Sequence, residues 1–360
     1  MKKNILILTL VISVAAHAQT DKATATRMLR DAIRAMDGGD PDRAMLILDS
    51  AKKLDPTDYV YDYEKGYAAY LKKDYKQSVK FFETALAFPG ANDQCYQMLG
   101  NALDSDGKPE KAMKAYEDGI KRFPTSGGLH VELGVMALAN KKYDEAVGWW
   151  EKGIAANPTY PGNYYRLTKL FAFTKDPIWA FFYGEIFLNL EPTTQRSEDI
   201  SKTIFDAYKR NITVPSDTSL RVDFTNSNLF IDKSTDMKNF KMPFRLIYVG
   251  DFIVGISMNF ITDKQISLAS LVSARTSFID RWYKAKRDKD YPNIVIEHQK
   301  RIADAGHSEA YHYWVLSSGD EKAFTEWYKN NEEKFKAFAK WIPDNMLVID
   351  KDHLFIRPKD

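Results

Sequence analysis

Small, apolar and polar positions along this chain recur with a period of 34 residues between 25 and 192. Gly66, Gly100 and Gly134 stand 34 apart, and Ala44, Ser78, Ala112, Ala146 and Ala180 keep the same spacing. Pro56, Pro89, Pro124, Pro158 and Pro192 close the units, with Pro89 one residue out of step. Such a period predicts an array of helical hairpins. The glycines and small residues let the two antiparallel helices of a unit approach. Phe82, Tyr116 and Trp150 are expected to fill the space between one unit and the next. Each proline lacks an N–H and clashes with the preceding turn, so it ends the second helix. One hairpin cannot bury its own apolar stripe, so stacked neighbours must supply the core.

Beyond Pro192 the 34-residue spacing ends. Thr194 to Arg210, with Ile200, Ile204, Phe205 and Tyr208, predicts one more helix, a cap over 195–211. A loop follows from Thr213 to Ser219. The apolar period then drops to two at Leu220, Val222 and Phe224, with Leu229-Phe230-Ile231 beyond. Phe244–Val249 and Ile253–Met258 read as two strands around a Gly250-Asp251 turn. Helices are expected over Lys264–Asp288, Pro292–Ser317 and Asp320–Trp341, and a terminal extended pair at Met346–Ile349 and His353–Ile356. The predicted fold class is a superhelix of antiparallel helix pairs followed by a small mixed α+β domain at 213–360.

The repeats resemble the tetratricopeptide repeat over about 170 residues. The third unit reads Met98-Leu99-Gly100-Asn101-Ala102, then Ala112, Tyr116, Gly119 and Phe123-Pro124. The fourth has Leu133-Gly134, Tyr143, Ala146, Trp150 and Gly153; the second has Gly66-Tyr67-Ala68, Tyr75, Ser78, Phe82 and Ala85. The end units depart from the pattern, with Ala32 in the first, and Thr168 with Gly184 in the fifth. The resemblance implies five units at about 25–58, 59–92, 93–126, 127–160 and 161–194. It also implies a concave face lined by first-helix residues outside the packing positions. On this chain those are Tyr63, Tyr67 and Tyr70, then Gln97, Asn101 and Asp104, then Tyr165, Lys169 and Phe173, with Val131 and Val135 making the middle apolar. An aromatic, amide-rich face with few charges suits an extended peptide. The same aromatics would equally serve to pack against the chain's own C-terminal part.

Composition narrows the setting. Lys2 and Lys3, the apolar run Ile5–Ala15 and Ala16-His17-Ala18 form a secretory signal peptide over 1–18, cleaved before Gln19. Its removal takes away two lysines and no acid, so the formal charge falls from +2 to 0. A neutral exported chain gives no basic surface for nucleic acid. No integral membrane segment is expected after cleavage; the apolar window Phe244–Ile261 is interrupted by Arg245 and Asp251. One cysteine, Cys95, forms no internal disulfide, which fits a bacterial periplasm or another exported location. Cys95 has no histidine near it in sequence and reads as a buried thiol.

Candidate chemistry is sparse. Glu297, His298, His307, Glu309 and His312 gather metal-type side chains, but without a His-x-x-x-His or His-Glu-x-x-His unit, and Gly306 interrupts their helix. No nucleophile elbow, phosphate loop or dinucleotide loop appears, and no cofactor is expected. The sequence therefore points to a non-catalytic scaffold of the bacterial envelope that holds a protein or peptide partner. The rival reading is an enzyme, or a hydrolase accessory, with its site in 213–360. Self-association through the array ends is a third.

Overall fold

The computed structural model describes residues 2–216, 219–226, 241–263 and 266–358, the side chains of 2–18 and 257–263 excepted. The chain divides into two compact units, Met1–Trp149 and Trp150–Asp360.

In the first unit, helices alternate as first and second members of pairs: α1 (Lys2–Asp37) and α2 (Pro41–Leu54), α3 (Val60–Leu71) and α4 (Tyr75–Leu86), α5 (Asp93–Ser105) and α6 (Pro109–Arg122). α7 (Gly127–Ala139) follows, and the division between the units falls within α8 (Tyr143–Ala156). The residues of the expected leader run as helix into α1. Second helices begin at 41, 75, 109 and 143, so the 34-residue period is a structural one. Asp40 and Asp74 cap α2 and α4 by accepting from the backbone N–H of Arg43 and Gln77. Two residues before each second helix the backbone turns left-handed, at Gly39, Lys73, Gly107 and Lys141.

The glycines fulfil the close-approach expectation in a specific way. A Cβ on Gly66 would lie 2.8 Å from the Phe82 ring, and one on Gly100 would lie 2.1 Å from the Tyr116 ring. Each ring thus lies on the glycine of its own pair. Phe82 and Tyr116 also belong to one continuous core with Leu99, Leu103, Leu129 and Leu133, so they serve the next pair as well.

The second unit opens with α9 (Pro161–Phe171), α10 (Ile178–Leu190) and α11 (Gln195–Asn211). Here the two departures, Thr168 and Gly184, come together. A Cβ on Gly184 would sit 2.6 Å from Ile204 of α11 and 3.0 Å from the Thr168 methyl, so α11 and the first helix together fill the space the second helix leaves. α11 is started by a reciprocal Thr194–Ser197 capping box, and it begins 34 residues after α9.

An antiparallel hairpin, β1 (Ile212–Ser216) and β2 (Ser219–Val222), pairs Ile212 with Val222, so the expected loop at 213–219 is mostly strand. The expected strand at 229–231 lies outside the described residues. Phe244–Val249 and Ile253–Met258 are not strands: α12 (Phe244–Asp263) runs through both. Phe244, Tyr248, Phe252 and Ile256 are all buried at four-residue steps, a helical stripe that outweighs the Gly250-Asp251 turn signal. Gly250-Asp251 is therefore mid-helix, and Asp251 is buried against Arg287 at 3.1 Å.

Then come α13 (Leu268–Lys284), α14 (Arg287–Asp290), α15 (Ile294–Asp304), α16 (Ser308–Leu316), α17 (Glu321–Asn330) and α18 (Glu332–Trp341). Each of the last two expected helices is broken in two: at Gly306, with φ +80°, and at Asn331, which caps both neighbours. Met346–Ile349 and His353–Ile356 form no ladder with each other. The segment instead reaches α10: Leu347 N–H donates to Asn189, Arg357 N–H to the Tyr183 hydroxyl, and Phe355 lies 5.2 Å from the Phe182 ring.

Candidate partner-binding face

The first-helix face of the first unit is built from α3, α5 and α7, whose neighbours along the stack exchange side-chain bonds. The Tyr70 hydroxyl lies 3.2 Å from Ser105 Oγ, and Gln97 Nε2 donates to Glu132 at 2.7 Å. Asn101 Oδ1 accepts from the Tyr116 hydroxyl at 2.7 Å. Tyr63 is half-buried edge-on to Phe82 at 5.5 Å, and burial raises its hydroxyl to about 12. Val131 is buried and Val135 half-buried. Tyr67 is 37% exposed, Leu71 beside it is exposed, and so is Asp104 on α5. Of the six candidates here, Tyr67 and Asp104 are thus open to a partner, while the other four first hold the stack together.

One carboxylate that the sequence reading passed over also lies on this unit. Glu64 is half-buried on α3, and burial followed by the charge of Asp37 raises its carboxyl to about 7. Neither Glu64 nor Asp104 makes a side-chain hydrogen bond or ion pair among the described residues.

In the second unit, Tyr165 and Lys169 of α9 turn to α11. Tyr165 donates to Asp199 at 2.8 Å, and Lys169 donates to Asp199 at 2.9 Å and to Thr203 at 3.1 Å. Arg196 covers the Tyr165 ring at 4.7 Å. Phe173 is 70% exposed, with the Arg210 guanidinium 4.7 Å from its ring. These three therefore touch α11, while the C-terminal segment lies against α10.

The metal-type residues are not brought together. His298 donates from Nε2 to Asn189 at 3.1 Å and accepts from Arg301 at Nδ1; burial and then Arg301 hold its pKa down at about 3. His312 Nδ1 accepts from Arg275 Nε at 3.0 Å, and burial keeps it neutral. His307 packs tilted against Trp341 at 5.1 Å, and Glu309 accepts from the Trp327 indole and from Lys334. Glu297 is exposed beside a cleft of about 670 Å³ whose wall includes Phe244, Tyr291 and Phe355. In that cleft Lys241 lies over the Tyr291 ring, and His353 is paired with Asp350. Cys95 is fully buried, and burial raises its thiol to about 11, far from a reactive thiolate.

The densest polar chemistry of the second unit is a buried network that the sequence reading missed. Glu185 of α10 pairs with Arg275 of α13, their side chains 2% and 4% exposed. Tyr311 and Gln299 donate to the other carboxylate oxygen at 2.8 and 2.6 Å, and Arg275 also donates to the Tyr208 hydroxyl at 2.9 Å. The available signal was Glu185 itself, the one charged residue in the largely apolar run of α10. An acid buried in such surroundings needs a partner. Every polar group here is satisfied from within, so the network ties helices together and presents nothing to a substrate.

Comparison with known proteins agrees with the repeat architecture. Residues 98–161 match the tetratricopeptide repeat family. Tetratricopeptide repeat protein 21B of Homo sapiens is 29% identical over 168 residues, covering 41% of this chain; this chain spans 12% of that protein's length. Among solved structures, MamA is 25% identical over 38% of this chain and 81% of its own, with a TM-score of 0.33. YrrB, described as a TPR protein with an unusual peptide-binding site, is 19% identical over 47% of this chain and 87% of its own, with a TM-score of 0.33. PilF of Pseudomonas aeruginosa is 16% identical over 53% of this chain and 86% of its own, with a TM-score of 0.43.

Proposed function

We propose that this chain, a carrier of tetratricopeptide repeats, is a non-catalytic scaffold of the bacterial envelope that holds an extended peptide or protein segment on the first-helix face of its first unit. The observation that carries this reading is a division of labour on α3 and α5. The residues that make the repeat visible in the sequence are buried, whereas Tyr67, Leu71 and Asp104 stand free on one face. An exposed aromatic ring with a nearby carboxylate and half-buried amides can take a peptide's side chains and backbone together. The leader-like 1–18 supports export, and the buried roles of His298, His312 and Cys95 support a role without catalysis. A photo-crosslinking side chain placed at position 67 tests the proposal. It should trap a discrete partner in cells, whereas the same group at the highly exposed position 46 of α2 should not.

A further inference from the structure

Resting on that reading, we infer that the partner segment is basic: the first-helix face of the first unit is an anionic groove for a lysine- or arginine-bearing extended peptide. Charge is sorted between the two helices of the second and third pairs. α3, α5 and α7 carry five carboxylates, Asp62, Glu64, Asp93, Asp104 and Glu132, against one ammonium, Lys65. That ammonium is held by Asp49 of α2 at 2.5 Å. α5 and α7 contain no lysine or arginine at all. α4 and α6, the partners of α3 and α5, are the reverse, with six bases against four acids, whereas α8, the partner of α7, has three acids against one base. A chain that is neutral overall after loss of its leader thus presents an excess of negative charge on α3, α5 and α7, while α1 carries both signs.

The state of individual carboxylates sharpens this. Asp62 is already tied to Lys52 at 2.6 Å, and Glu132 accepts from Gln97. Glu64 and Asp104 have no such partner. Glu64 is half-buried with Asp37 as its neighbouring charge, which is why its carboxyl resists ionisation. A cation delivered there by a ligand supplies what the fold leaves out. Tyr67 lies one helical turn from Tyr63 and Tyr70 on α3, and its open ring offers a face on which a guanidinium or ammonium can rest. Charge complementarity of this kind selects the partner and speeds its encounter.

The test is fluorescence anisotropy of the purified chain with three labelled, unstructured peptides of equal apolar and proline content. One is rich in lysine and arginine, one is neutral, and one is rich in aspartate and glutamate. The basic peptide should bind about tenfold or more tighter than the acidic one, and added salt should weaken it. Glu64→Gln with Asp104→Asn should remove that preference while helicity and melting temperature show the fold intact. If the neutral or acidic peptide binds as well as the basic one and Tyr67→Ala abolishes it, the groove stands and the charge inference falls. If the basic peptide binds but ignores all three substitutions, its site lies elsewhere and both readings fail. Failure of all three peptides to bind overturns both as well.

Discussion

Glu185 is the residue on which the second unit depends most. Its carboxylate takes Arg275, Tyr311 and Gln299 at once inside a helix that carries no other charged residue. Removing one member of a buried ion pair leaves the other charge without compensation, which costs about 3–5 kcal/mol. Glu185→Ala should therefore destabilise the second unit by roughly that much in chemical denaturation. Replacing Glu185 and Arg275 together by leucine and methionine should cost clearly less than the sum of the single changes. The two buried histidines beside this network set an acid limit. His298 has its folded pKa lowered from 6.5 to about 3, and His312 is lowered in the same direction. Below the unfolded value the unfolded chain takes up protons that the folded chain refuses, so stability falls with pH from about 6.5 towards 3. His298 alone is worth about 3 kcal/mol between neutral pH and about pH 4. Thermal melts should show this loss, and His298→Gln should flatten it. Glu64 in the first unit has the opposite sign: its raised pKa removes stability as pH climbs from 4.5 to about 7.

At the scale of the helix, the repeat was legible because its packing is steric. Gly66 and Gly100 have to be glycine, since Phe82 and Tyr116 occupy the place of a side chain. Such residues recur wherever the geometry recurs, and one sequence displays them. Thr168 and Gly184 were visible as two departures, yet only the structure shows that Ile204 of α11 and the Thr168 methyl meet at Gly184. The left-handed turn residue was hidden because two units use glycine and two use lysine. A non-glycine residue in that conformation is strained by about 1 kcal/mol. Lys73→Gly should accordingly raise stability by up to about 1 kcal/mol, measured as a higher denaturation midpoint with unchanged slope. The same change at Gly107's neighbour Lys108, whose φ is −123°, should lower it. The Gly250-Asp251 turn signal misled over α12, because both residues lie inside one helix whose buried stripe runs from Phe244 to Ile256. The candidate site was legible in position and less so in role. A first-helix position can be named from the repeat, but a bond to the next helix, such as Tyr165 to Asp199, depends on a residue 34 positions away.

For the molecule as a whole, polar chemistry is distributed unequally between its two units. In the second unit, buried acids, histidines and tyrosines satisfy one another, and the C-terminal segment is bonded along α10. In the first unit, Glu64, Tyr67 and Asp104 remain without side-chain hydrogen bonds on helices whose other conspicuous residues are core. The buried network around Glu185 is closed on itself, whereas these three groups are open, which suits the first-helix face to hold something. The most direct measurement is site-specific photo-crosslinking in the full chain, from position 67 on α3 and from position 46 on α2, followed by mass spectrometry of the trapped product. Position 46 is the more exposed of the two, at 71% against 37%, so accessibility alone favours it. A single partner trapped from position 67, lost when Asp104→Asn is added and absent from position 46, is the predicted result. Equal trapping from both positions, or trapping from position 46 alone, would contradict the assignment of the partner to the first-helix face.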